Sequence, residues 1–200
     1  MSYIIVGLGN PGSEYQNTRH NTGRLVLNAF YKQAIKTNDL SEWKTDKKLL
    51  ALKSTGKVGA ESVILLQPET MMNNSGKSLR DLVNTLKKAA KLVVIYDDLD
   101  LSLGSYKISF NRGTGGHRGL ESIVKNIKTK AFTRIRVGIS PTTPSGKIRK
   151  PQGEEKIITF ILGQFKPAEQ EALTKVVKKI SAALFCLIEE GREQAMNVFN

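Results

Sequence analysis

Apolar and polar residues along this chain follow two periods in turn, one of two residues and one of about 3.6. Residues 3–8 are mostly β-branched, aromatic or aliphatic, which predicts a strand. Residues 22–36 place Leu25, Val26, Leu27, Phe30 and Tyr31 at helical spacing. Residues 49–54 and 62–67 read as two strands joined by a turn around Gly56 and Gly59. Residues 75–88 read as a helix with Leu79, Leu82, Val83 and Leu86 on one face. Residues 92–96 are apolar without a break, as in a strand buried on both faces. Residues 105–110 alternate like an edge or antiparallel strand, 119–127 are helical, and 131–139 alternate again. Residues 140–151 carry three prolines and three basic residues and predict a mobile loop. Residues 156–162 fit helix or strand equally. Residues 167–190 form a long amphipathic pattern with Pro167 at its start. Strands and helices thus alternate with no internal repeat. That predicts a single α/β domain over residues 1–200, a mixed β-sheet flanked by helices.

After the first strand comes a polar loop that the periodicity leaves unexplained. It opens Gly7-x-Gly9-x-x-Gly12, the letters of a dinucleotide-binding turn. Such a turn must lead straight into a helix whose N-terminus meets the pyrophosphate. Here Ser13 to Thr18 show no helical repeat, and Pro11 biases Asn10 away from helical backbone. The nucleotide reading therefore fails. The loop instead displays Asn10, Tyr15, Arg19, His20 and Asn21, groups that bind polar substrates and move protons.

Charge changes the picture next. The chain has 31 Lys and Arg against 18 Asp and Glu, a formal charge of +13. Eleven of the basic residues lie between Leu101 and Gln152, where Glu121 is the sole acid. A field so one-sided favours a nucleic-acid partner. The single cysteine, Cys186, sits in an apolar stretch and suits a reducing cytoplasm. No apolar run reaches transmembrane length, so no membrane partner is expected.

The candidate chemistry is sparse. Only His20 and His117 can exchange protons near neutral pH. His117 lies among glycines at a predicted helix start, a setting for an anion. Asp97, Asp98 and Asp100 follow the buried strand, at the end where α/β sheets carry their sites. They could orient a histidine or hold magnesium. Met71, Met72, Asn73 and Asn74 combine an apolar wall with carboxamide donors, or else cap a helix at Asn74 or Ser75. No Gly-x-Ser-x-Gly elbow and no histidine–cysteine cluster occurs, which leaves His20 as the candidate general base.

Taken in order, "VGLGNPGSEYQNTRHNTG", "PETMMNNSGKS", "VVIYDDLDLSLG", "GTGGHRGLESI" and "FTRIRVGI" resemble the bacterial-type peptidyl-tRNA hydrolases. These stretches run from Val6 to Ile139. The resemblance implies an enzyme that cleaves the ester joining a peptide to tRNA, with water and without metal or cofactor. It implies that His20 is the catalytic base and that Asp97 supports it. It implies that Asn10 and Asn73 hold the peptide and reject a free aminoacyl group. Tyr15, Met71 and Met72 are expected to line the substrate site, and Lys107, Arg134 and Arg136 to meet tRNA phosphates. A cytoplasmic monomer is expected. One position departs from the pattern. Arg118 stands where the family usually has an asparagine that binds substrate and fixes the attacking water. An RNA-binding factor without hydrolysis, and a magnesium-dependent nuclease using Asp97, Asp98 and Asp100, therefore stay open as alternatives.

Overall fold

The computed structural model describes residues 1–200. Seven strands form one mixed sheet: β1 (Tyr3–Gly7), β2 (Lys44–Asp46), β3 (Ala51–Val58), β4 (Glu61–Pro68), β5 (Leu92–Ser102), β6 (Tyr106–Phe110) and β7 (Thr133–Ser140). Their order is β2-β3-β4-β1-β5-β7-β6. The centre, β4-β1-β5-β7, is parallel, and β2, β3 and β6 run antiparallel to their neighbours. Six α-helices accompany it: α1 (Thr22–Ala34), α2 (Leu86–Ala90), α3 (Arg118–Ile127), α4 (Glu154–Leu162), α5 (Pro167–Glu189) and α6 (Arg192–Phe199).

Each strand sends alternate residues to opposite faces, and the two faces build separate cores. On one face Ile5, Val93, Ile95, Ile135 and Val137 pack with Val26, Leu27 and Phe30 of α1 and Ile180, Leu184 and Leu187 of α5. On the other, Val6, Leu66, Val94 and Tyr96 pack with Leu79, Leu120 and Ile123. The glycines of the first loop serve this packing. A Cβ on Gly7 would lie 2.5 Å from the Gly23 carbonyl, and one on Gly23 would lie 2.2 Å from that of Ile95. Only glycines allow α1 to start directly against β1 and β5.

Several boundaries differ from the pattern. The helix expected over 75–88 is a 3₁₀ segment, Met72–Ser78, followed by turns and the short α2. Gly76 approaches α3 so closely that a Cβ would lie 2.1 Å from the Ser122 carbonyl. The hydroxyls of Ser75 and Ser78 donate to backbone carbonyls and compete with helical pairing. The cap expected at Asn74 or Ser75 is absent, and the segment starts after Met71. The hairpin turn is at Gly59 alone. Gly56 lies within β3, where a Cβ would strike the Asp39 carbonyl at 1.8 Å. Residues 140–151, expected to be mobile, form a turn closed by a bridge between Thr142 and Ile148. The ambiguous 156–162 is helical and belongs to α4, none of whose residues is buried. The three-residue β2 and the helix α6 carry no clear periodic signal and have no counterpart among the expected elements.

Candidate active site

The polar loop folds as two 3₁₀ turns, Ser13–Tyr15 and Arg19–Asn21, and the second carries His20. Arg19 ties this turn down. Its backbone N–H donates to the Gly163 carbonyl at 3.1 Å, and its guanidinium lies 4.5 Å from the Phe160 ring centre and 2.7 Å from Glu169. His20 is buried, with Nδ1 at 3.0 Å from both carboxylate oxygens of Asp97, midway along β5 and just past the end of β1. A carboxylate only accepts, so Nδ1 carries the hydrogen and Nε2 keeps its lone pair. Burial pushes the His20 pKa down, but the charge and hydrogen bond of Asp97 outweigh it and the net value is raised; the Arg118 charge opposes that rise. Burial alone would raise the Asp97 pKa. The charge of His20 and the hydrogen bonds from His117 and His20 hold it well below the usual carboxylate range.

The second histidine faces the same carboxylate. His117 Nε2 donates to Asp97 Oδ1 at 3.1 Å, while its Nδ1 accepts from the N–H groups of Gly119 and Leu120 at 3.2 and 3.4 Å. The anion expected at this helix start is thus replaced by the ring of His117 itself. Ligand atoms of His20, Asp97 and His117 lie within 4.8 Å of one another, a spacing that could suit a metal. Yet the cap on Nδ1 keeps a proton on Nε2, the atom a metal would need, so the trio fits a hydrogen-bonded chain better than a ligand set. The three aspartates do not converge either. All three line the cleft, but Asp98 is tied to Arg136 at 2.7 Å and Asp100 to Lys150 at 2.7 Å, while Asp97 is held by the two histidines. A shared magnesium on Asp97, Asp98 and Asp100 has no geometric support.

A cleft of about 1010 Å³ opens over this centre. It brings together Asn10, His20, Met71, Met72, Asn73, Asp97, Lys107, His117, Arg118 and Arg136. Met72 is buried beneath Asn10, whose Oδ1 accepts from the Met72 N–H at 2.8 Å. Two expected residues stand elsewhere. Tyr15 is half-buried outside the lining, and its carbonyl accepts from the N–H and hydroxyl of Thr18. Arg134 is fully buried, with its guanidinium 4.6 Å from the Phe132 ring centre and Nη1 donating to the Gly113 carbonyl. It supports the glycine-rich loop and has no surface to offer a phosphate. Arg118 is exposed and pairs with Glu154 of α4 at 2.5 Å.

The sequence reading missed three sets of lining residues. Arg112 stands beside Lys107, and neither has an ion-pair partner. The basic cluster of residues 101–152 contained that signal. Ile157, Ile158, Ile161 and Leu162 of α4 form an apolar wall. Their own pattern did not declare a helix. Lys150 lies in the loop taken as mobile.

A buried histidine–carboxylate pair, just past the carboxyl end of β1 and open to a cleft with a cationic flank, stands where enzymes of the α/β class carry their sites. The family model described as peptidyl-tRNA hydrolase matches residues 4–200. Peptidyl-tRNA hydrolase of Aquifex aeolicus is 36% identical over 98% of this chain and 95% of its own length. That of Thermoanaerobacter sp. is 38% identical over 99% of both. The crystal structure of peptidyl-tRNA hydrolase from Acinetobacter baumannii superposes with a TM-score of 0.84 at 32% identity, over 100% of this chain and 94% of that one. The chain belongs to the peptidyl-tRNA hydrolase family.

Proposed function

We propose that this chain hydrolyses the ester between a peptide and the terminal ribose of tRNA. The observation that carries the reading is the His20–Asp97 pair in a cleft lined by two unlike sets of side chains. One set is apolar, Met71 and the isoleucines of α4, and suits a peptide. The other set is cationic, Lys107, Arg112 and Arg136, and suits the RNA.

An ester is easier to cleave than an amide, so one activated water suffices. His20 Nε2 takes the proton of that water as it attacks the ester carbonyl. Asp97 holds the ring through Nδ1–H and stabilises the imidazolium as it forms. His117 fixes the other side of Asp97. Asn10 presents Nδ2 to the cleft, where its N–H groups can donate to the developing oxyanion or to the adjacent peptide carbonyl. The proton then passes from His20 to the departing ribose oxygen. Asn73 and Met71 hold the peptide, and the RNA lies along the cationic side. A monomer in the cytoplasm, where translation leaves such esters, meets these needs.

The test is release of tRNA from an N-acetylated aminoacyl-tRNA, with and without EDTA. Turnover that chelation leaves unchanged is expected. Activity lost on chelation would indicate a metal-dependent nuclease, and binding without turnover would indicate an RNA-binding factor.

A further inference from the structure

We infer that Asn21 is a positioning residue that sets the polarity of Asn10 and thereby selects substrates whose α-nitrogen is acylated; this rests on the hydrolase reading above. Asn21 sits at the N-cap of α1, yet its side chain makes no hydrogen bond to that helix. It turns back instead onto the backbone of Asn10. Its Oδ1 accepts from the Asn10 N–H at 2.8 Å, and its Nδ2 donates to the Asn10 carbonyl at 2.9 Å. Both residues are buried. The carboxamide therefore pairs with the backbone of Asn10 as a neighbouring strand would. Arg24 completes the clamp: Nη1 donates to the same carbonyl at 3.0 Å, and the guanidinium pairs with Glu69. Gly9 leaves the room. A Cβ there would come 2.7 Å from Arg24 Cδ and 2.9 Å from Asn21 Cγ.

The clamp has a chemical consequence at the cleft. With its backbone held, the Asn10 side chain reaches Met72, and Oδ1 accepts from the Met72 N–H at 2.8 Å. With its oxygen turned to the Met72 N–H, the carboxamide turns Nδ2, a donor, to the substrate. Asn21 itself does not line the cleft. An acylated α-nitrogen brings a carbonyl, which accepts from Nδ2. A free α-ammonium brings three donors and a positive charge, which Nδ2 repels. Were Asn10 to turn over, its oxygen would welcome the ammonium and the preference would fade. The Met72 N–H decides which end of Asn10 faces inward, and Asn21 holds the backbone from which Oδ1 reaches that N–H.

The experiment compares kcat/KM for N-acetyl-aminoacyl-tRNA and for the same aminoacyl-tRNA unblocked, in the wild type, Asn21→Ala and Asn21→Asp. The aspartate keeps an acceptor for the Asn10 N–H but sets an oxygen against the Asn10 carbonyl. The ratio between the two substrates is expected to fall at least about tenfold in both variants, with KM for the blocked substrate rising more than kcat falls. The acid limb of the pH profile should stay where it is, because His20 and Asp97 are untouched. If Asn21→Ala does not fold, Asn21→Asp reads the same ratio. A wild-type ratio in the folded variants overturns the inference, whatever their melting temperatures. A wild type that turns over neither ester removes the hydrolase reading itself, and the two failures are distinct.

Discussion

His20 and Asp97 are both withdrawn from water, and the charge on each depends on the other. His20→Ala should lower kcat by roughly 10²- to 10⁴-fold, the usual range for a lost general base, with tRNA affinity retained. Near wild-type turnover in a single-turnover assay would end the mechanism. The pH dependence has a definite sign. In the proposed mechanism His20 acts only when Nε2 is free, so kcat should rise with pH through a pKa above the ordinary histidine value. Arg118 opposes that rise from its side of the cleft, so Arg118→Asn should move the acid limb to higher pH. Asp97→Asn should move it to lower pH and lower kcat as well, because the imidazolium loses its partner. A limb unmoved by either substitution, measured from kcat against pH, would separate these residues from the base. Stability follows the same linkage. The raised pKa of His20 gives stability that is present below its unfolded pKa and is lost as pH rises through the folded one. The lowered pKa of Asp97 gives stability that is present above its unfolded pKa and is lost as pH falls. At this scale the sequence was highly legible, since only two histidines could titrate near neutrality and one lay in the polar loop. What it could not display was the pairing of His117 with Asp97, which depends on α3 starting beside β5.

At the scale of elements, periodicity located the strands and long helices because each buries a defined face. It failed where the local chemistry and the packing disagreed. Leu79 and Val83 are buried as a helix would bury them, but the close approach of Gly76 to α3 and the serine bonds to the Met72 and Leu50 carbonyls hold the backbone in another form. The helix α4 was ambiguous because none of its residues is fully buried: Ile157, Ile158, Ile161 and Leu162 line the cleft, while Phe160 packs on Arg19 and the edge of the core. The glycines of the first loop looked like a nucleotide motif and are instead sites of close contact. Gly23→Ala makes the point testable. The new methyl would lie 2.2 Å from the Ile95 carbonyl and 2.5 Å from the Leu8 nitrogen, both backbone atoms that cannot step aside alone. Overpacking of this kind costs about 1–3 kcal/mol, which lowers Tm by roughly 2–12 °C in a chain of this size. A thermal melt that matches the wild type would show that α1 can slide away from β1 without penalty.

For the whole molecule the question is how a charge of +13 is used. Around the cleft most cations already have partners: Arg136 with Asp98, Lys150 with Asp100, and Arg118 with Glu154. These pairs hold the strand end, the 140–151 turn and α4 in a common frame, and exposed ones contribute little stability. Lys107 and Arg112 face the cleft without such partners, so phosphates can take them at no cost in broken ion pairs. Arg134 looked equivalent along the chain because residues 134 and 136 share a strand face. The glycine-rich loop covers the first and not the second, and no local pattern reveals that. The two sets should therefore respond differently. Lys107→Ala and Arg112→Ala should raise KM for tRNA substrates, and each should reduce the slope of log K against log salt by about 0.7–0.9, the share of one phosphate contact. A short ester without the tRNA body should be cleaved as before. Arg134→Ala should leave the salt slope unchanged and lower Tm, since it removes the stacking on Phe132 and the bond to the Gly113 carbonyl. Binding measured across a salt series decides the matter. A slope that changes with Arg134 and not with Lys107 or Arg112 would mean that the RNA approaches from another side of the sheet.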